Sequence, residues 1–432
     1  MPFSLLIRLG LRQFAAGMLS VLALGILNRV MKVEMGLPLG LVSVVIGIHY
    51  FAAPLAIPLG HRSDLRPLRG LHRTPYILIG AGLTVLTTVA APFVALFMQS
   101  QQASALSVVL GILNFLLLGV GIYTAGTAYL SLIADRAPKQ ERGKAVAVVW
   151  SMMMVGILVG VFFGVGILNA YDRDRLVLLF VLMGAIVAVF TAIAIWRVEK
   201  PRPDSETATP SSSVPAWKLL AYGRQTRLFF LFMFSGIFFL FLQQVVLEPF
   251  GGDVFAMSVR ETTLFNAFQM VGVLVGMGFA GGYLSRRIGN KPTAGLGLAL
   301  ASLAFLGLGA AAFTRTAALV NPTIGLMGLG MGLFNVGGLA MMMDMSVEGL
   351  TGTYMGAWTL SQALANGLAS IGGGFLHDLG LVTFGAEAAA YGLVFVIEAG
   401  GLLLTLALLR TLSVSHFRTE ADSMMLLLGE AG

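Results

Sequence analysis

Long apolar runs alternate with short polar segments along the whole 432-residue chain. A helix that crosses a bilayer needs about 20 mostly apolar residues. Windows of that length predict twelve spans, near residues 14–33, 38–59, 76–98, 105–133, 144–168, 175–197, 227–248, 262–284, 292–313, 320–343, 353–376 and 389–411. Arg8 and Arg12 ahead of the first span mimic a secretory signal. Because every later run is also of span length, the first is read as an uncleaved helix, with Phe3 to Gln13 as a short interfacial lead-in. The one sustained polar stretch, residues 199–226, contains Pro201, Pro203, Pro210, Pro215 and Ser211-Ser212-Ser213. That composition predicts a flexible linker. It separates an N-terminal six-helix bundle, residues 1–198, from a C-terminal one with a short tail, residues 227–432.

Composition identifies the solvent. The chain is 57% hydrophobic and 11% charged, where a soluble domain carries about 25% charged residues. So much apolar surface requires lipid around it. The 54 glycines and 22 methionines suit close helix packing and irregular gaps in such an interior. The net charge of +7 invites a nucleic-acid partner, but the basic residues sit in short loops between apolar runs and not along one face. With the N-terminus inside, only Arg29, Lys32, Arg173, Arg175, Arg260 and Arg315 of the 27 Lys and Arg fall in outer loops. The positive-inside rule then places both termini and the linker in the cytoplasm. With no cysteine, disulfides, thiolate metal sites and cysteine nucleophiles are excluded. The chain shows no phosphate-cradling Gly-Lys-Ser/Thr loop, zinc helix or serine elbow, so it reads as a non-enzyme not driven directly by ATP.

The two halves echo each other. Gly60 to Gly70 after the second span has a shorter counterpart at Gly282 to Gly289 after the eighth. Asp135 and Asp344 close the fourth and tenth spans, and Trp150 and Trp358 follow at similar distances. Parallel six-helix repeats resemble the major facilitator fold, in which ligands lie near the membrane midplane. The expected class is therefore an all-α membrane protein with twelve transmembrane helices, a major facilitator fold of two six-helix bundles.

Candidate residues emerge from polarity inside or beside spans. In the loop of Gly60, Arg62, Asp64 and Arg69, the arginines fix topology, while the Gly and Asp pattern suits a conformational gate. Asp135, Arg136 and Arg142 flank a Pro- and Gly-containing turn, which is read either as interhelical ion pairs or as a solvated loop. Asn28, Arg29 and Glu34 end the first span, and Gln243, Gln244 and Glu248 end the seventh. An arginine at that depth needs a partner or a route to water. The two sets are expected to face one another or a ligand. Glu398, in the middle of the twelfth span, is by default a functional candidate; a protonated structural carboxyl is the alternative. His49 is either a metal-capable ligand or a bond to a neighbouring helix. Asn114, Asn266, Gln269, Asn335, Gln362 and Asn366 are read mainly as helix-joining groups.

Several stretches resemble the light-harvesting-complex assembly proteins of phototrophic bacteria, the PucC type, which form the bacteriochlorophyll delivery branch of the major facilitators. They are Leu27 to Glu34, Gly60 to Asp64, Arg73-Thr74-Pro75-Tyr76, Ala134 to Pro138, and Leu247-Glu248-Pro249-Phe250-Gly251-Gly252. The resemblance implies a multi-pass protein of the inner or intracytoplasmic photosynthetic membrane. It would bind bacteriochlorophyll or a precursor and deliver it to antenna polypeptides, with chlorophyll synthase and membrane lipid as further partners. The pigment magnesium would want one axial ligand, such as His49 or an amide oxygen. One member of the family carries a synthase label, implying catalysis that these residues do not support. Two other readings stay open: a proton-coupled secondary transporter of a small molecule using Glu398 or Glu34, and a non-transporting assembly scaffold.

Overall fold

Prolines and exposed backbone groups decide where the helical rods begin and break. A computed structural model describes residues 2–55, 58, 70–136, 142–199, 223–345, 351–413, 415–417 and 420. The expected gate residues Gly60, Arg62, Asp64 and Arg69 lie outside the described residues, as does the linker from 200 to 222. Arg142 opens a helix, but its side chain also lies outside them.

In chain order the helices are α1 (Phe3–Glu34), α2 (Leu39–Leu55), α3 (Thr74–Ser100), α4 (Ala105–Arg136), α5 (Arg142–Ile167), α6 (Arg173–Ile195), α7 (Arg224–Val245), α8 (Leu247–Phe255), α9 (Val259–Ile288), α10 (Asn290–Thr314), α11 (Ala317–Asp344), α12 (Thr351–Phe384) and α13 (Glu387–Thr411). Among the described residues, ten helices are long and apolar enough to cross a membrane. Helix α2 is shorter, and the 34-residue α12 and the nine-residue α8 are not among the ten.

Three features depart from the expected rods. Phe3 to Gln13 is no separate lead-in: α1 is continuous through it, and Leu6, Leu9 and Gln13 are buried. Helix α2 tightens into a 3-10 turn over Ile48–Leu55, where Pro54 cannot donate the hydrogen bond an α-helix needs. Helix α7 tightens over Leu242–Val245 before the short α8 begins. Pro249 lies in the first turn of α8, where a missing N–H is tolerated.

The described residues form two compact units. The first takes in Met1–Thr209, Gln244–Ala267 and Ser370–Asp378; the second takes in Pro210–Gln243, Phe268–Ala369 and Leu379–Gly432. In the first unit, α1 and α5 meet at glycines. A methyl on Gly17 would lie 2.1 Å from the Met153 carbonyl oxygen, and one on Gly156 2.1 Å from that of Phe14. Small residues thus let two backbones touch, which is how membrane helices gain contact without a hydrophobic driving force. The second unit repeats the device: a methyl on Gly328 of α11 would lie 2.1 Å from the Gln269 carbonyl oxygen of α9. Phe232 and Phe334 pack edge to face in the same unit.

Glu199 ties the end of the α6 segment to the start of α3. Its carboxylate accepts backbone N–H bonds from His72 at 2.7 Å, Arg73 at 2.9 Å and Thr74 at 2.6 Å. These donors are the unpaired N–H groups of a helix start. Burial pushes the Glu199 carboxyl up, but the bonds from Thr74, Arg73 and His72 outweigh it and hold the group below its usual 4.5. Its contribution is therefore fully present above that value and is lost as pH falls through the depressed pKa. Glu199→Gln is expected to cost about 1 kcal/mol at neutral pH. Melting curves of wild type and variant, recorded from pH 7 downward, should converge in acid. A gap that persists there would rule out a charge effect.

Candidate functional site

Two π-helical turns, Val21–Ile26 and Val30–Glu34, interrupt α1 toward its C-terminal end. Each π-turn inserts one residue and rotates the remainder of the helix; such turns are frequent at functional sites. Between them stand Asn28 and Arg29, which the structure brings against α8 and the ends of α7 and α9, all within the first unit. Asn28 is 0% exposed, Arg29 2% and Glu248 4%, so every polar atom here must find its partner inside the protein.

The partners are specific. The Asn28 side-chain amide donates to the Val245 carbonyl at 2.7 Å, where the tightened end of α7 leaves acceptors unpaired. Arg29 donates to Glu34 at 2.6 Å through Nη1 and to the Met257 carbonyl at 2.7 Å through Nη2. The Met257 carbonyl is positioned by the left-handed Ala256 (φ 54°), which ends α8. Glu248 accepts from Asn266 Nδ2 of α9 and lies against Gly25, where a methyl would stand 2.1 Å from its Oε1. Lys32 and Asp253 approach to 3.6 Å. Gly252 lets α8 close on α1, since a methyl there would meet Val33 at 2.9 Å and Arg29 Nη2 at 3.3 Å. Asn28 and Arg29 of the first span thus come against the segment that carries Glu248, whereas Gln244 pairs with Tyr50 and Gln243 lies in the second unit. Lys32 and Asp253 belong with the Arg29 cluster but were not predicted as a pair; their charge inside an otherwise apolar region was the available signal.

Three buried atoms of this cluster make no hydrogen bond within the described protein: Asn28 Oδ1, Arg29 Nε and Glu248 Oε2. Two accept and one donates, so the cluster keeps polar capacity beyond what its own contacts use.

The remaining predicted residues separate into other groups. His49 is buried, with Nδ1 2.6 Å from the Ile46 carbonyl and its ring against Tyr50 at 4.0 Å between centroids. Tyr50 and Gln244 exchange hydrogen bonds at 3.1–3.3 Å. Gln243 is buried in the second unit, and its backbone lies close to the carboxyl of Glu398. Glu398 is 0% exposed, and neither of its oxygens makes a hydrogen bond of ordinary geometry. At the opposite end of the first unit, Asp135 accepts from Arg73 Nε at 3.2 Å, and Arg136 donates to the Val198 carbonyl. Asp344, the counterpart of Asp135, accepts from Asn290 at 2.9 Å. Sequence reasoning missed Asp378, which accepts the Gly40 N–H at 2.8 Å at the start of α2; nothing in the sequence pairs these positions. Among the described residues no group of three or more His, Asp or Glu is placed to hold a metal ion.

The family described as PUCC protein matches residues 26–417. The chain is 33% identical over 397 residues to Protein PucC of Rhodovulum sulfidophilum, covering 88% of this chain and 86% of that one. It is 32% identical over 435 residues to the bacteriochlorophyll synthase 44.5 kDa chain of Rhodobacter capsulatus, covering 98% of each. The crystal structure of the nucleoside transporter NupG superposes with a TM-score of 0.70 at 16% identity, covering 94% of this chain and 98% of that one. The structural likeness gives the fold: a multi-pass, all-helical membrane protein built like the major facilitator transporters.

Proposed function

The chain belongs to the PUCC protein family, and on that premise we propose that it is a membrane factor for building light-harvesting complexes, binding bacteriochlorophyll or a precursor and delivering it to antenna polypeptides. The family match across residues 26–417 is the observation that carries this reading. In the same proposal the chain has twelve spans in two six-helix bundles, residues 1–198 and 227–432, joined by a cytoplasmic linker. Its membrane is the inner or intracytoplasmic photosynthetic membrane, with both termini inside. It is a binding protein and not an enzyme.

His49 fits the part of pigment ligand. A carbonyl only accepts, so the 2.6 Å contact with Ile46 puts the proton on Nδ1 and leaves the Nε2 lone pair free. A second bond that fixes the tautomer in this way is the usual support of a metal-binding histidine. His49 Nε2 would hold the pigment through its magnesium, which would supply Lewis-acid binding to that nitrogen. The protein is to be purified from a pigment-making phototroph and its absorbance recorded. Wild type should retain chlorin absorbance, and His49→Leu should lose most of it at unchanged yield. A colourless wild-type preparation would count against pigment binding, and an unchanged His49→Leu spectrum would move the ligand elsewhere. Deleting the gene should selectively weaken an antenna band in whole-cell spectra.

A proton-coupled transporter is the second reading, favoured by the buried carboxyl groups of Glu248 and Glu398. An unchanged antenna spectrum in the deletion strain would favour it.

A further inference from the structure

Arg12 is a cation that the cluster around Arg29 does not use. It stands about two and a half turns into α1, half-buried between the fully buried Leu9 and the buried Gln13. Its guanidinium lies over the Tyr129 ring at 4.9 Å. The ring is held from behind, because the Tyr129 hydroxyl donates to the Leu9 carbonyl at 2.7 Å. Arg12 Nη1 donates to Gln13 Oε1 at 2.7 Å. No ion pair or further hydrogen bond of Arg12 exists among the described residues, so Nη2 has no acceptor there. The space beside Nη2 is open: a methyl built on Gly126 of α4 would meet nothing within 4 Å except Nη2 itself, at 3.9 Å.

An arginine stays charged at any physiological pH. A charge carried this deep without a counterion is costly unless a partner or water reaches it. One edge of this guanidinium is spent on Gln13 and one face on Tyr129, while Nη2 faces room. The geometry points to Arg12, with Gln13, Gly126 and Tyr129, as a binding site for the single carboxylate of an otherwise apolar molecule. The single positive charge calls for a single negative one, and its place within a membrane-length apolar helix calls for an apolar body. A fatty acid and a chlorin whose acid side chain is not yet esterified share that chemistry. The chlorin source rests on the pigment reading above; the carboxylate site itself does not.

The test is titration of the purified full-length protein in detergent with two matched pairs. One pair is dansylundecanoate and its methyl ester; the other is pheophorbide and its methyl ester. Wild type should bind at least one acid about tenfold or more tighter than its ester, the difference expected of a charge-assisted hydrogen bond. Arg12→Gln should erase that preference while leaving the ester affinity in place, and Arg12→Lys should restore part of it. If Arg12→Gln fails to fold, the wild-type preference and its reduction in Arg12→Lys still decide. Preference for dansylundecanoate with no binding of either pheophorbide would uphold the Arg12 site and remove the chlorin as the source of its carboxylate. Equal affinity of acid and ester in both pairs, a preference that survives Arg12→Gln, or displacement of the acid by phosphatidylglycerol as readily as by laurate would overturn the proposal.

Discussion

An Arg29→Met variant should lose about 3–5 kcal/mol of stability, the cost of removing one partner from a buried ionic network. Arg29 is 2% exposed, and its two terminal nitrogens serve Glu34 and the Met257 carbonyl. Methionine replaces the apolar stem, so the loss reports the charge and its hydrogen bonds and not a cavity. It orphans the Met257 carbonyl and takes a cation away from Glu248, whose carboxyl feels Arg29. Glu34→Gln is the internal control. The Glu34 side chain is 27% exposed, and glutamine still accepts a hydrogen bond, so the loss should stay within about 1 kcal/mol. Equilibrium unfolding of the detergent-solubilised protein measures both. Equal losses would show that burial does not set the strength of this network. Adding Glu248→Gln to Arg29→Met should recover part of the deficit, since contacting groups are not additive.

The second large effect is a difference of sign between two glycine-to-alanine substitutions. At Gly156 the added methyl would stand 2.1 Å from the Phe14 carbonyl oxygen, which is backbone and cannot swing aside. Helices α1 and α5 must then separate, and overpacking of this kind costs about 1–3 kcal/mol, occasionally more. At Gly82, in the interior of α3, nothing lies within 4 Å of the new methyl. There alanine only restricts the unfolded chain and favours the helix, for a gain of about 0.5–1 kcal/mol. Thermal unfolding of the two variants should move in opposite directions. Destabilisation by both would mean that α3 is packed more tightly on that face than its surroundings indicate.

The ten membrane-length helices among the described residues were legible because apolar length and polar interruptions report directly on a bilayer. Polarity at the ends of these spans marked residues that must be satisfied inside the protein, but not which partners they take: Asn28 bonds the Val245 carbonyl and Gln244 bonds Tyr50. What the sequence hid was the local backbone. The π-turns of α1 leave no compositional trace, since Val21 to Ile26 reads like any apolar helix. The tightened end of α7 falls inside a run of apolar residues and glutamines, although it frees the Val245 carbonyl that Asn28 takes. The continuity of α1 through Phe3 to Gln13 was missed because two arginines resemble a boundary. In the structure Arg8 reaches the Trp196 carbonyl and Arg12 the Tyr129 ring, so both arginines sit within the helix and do not end it. Asp378 and Glu199 cap helices whose starts lie 338 and at least 125 residues away, pairings that no local pattern encodes.

That last contact bears on how the protein is made. A ribosome threading this chain into a bilayer delivers the first turn of α3 long before the carboxylate that covers it. Until α6 has emerged, three backbone donors at His72, Arg73 and Thr74 must rely on water at the membrane surface. Arrival of Glu199 seals them, so this cap closes only after α6 has been made, while the rest of the first unit still awaits Gln244–Ala267 and Ser370–Asp378. Nascent chains stalled late enough for Glu199 to have left the ribosome should show slow amide exchange at Thr74, and chains stalled before that should not.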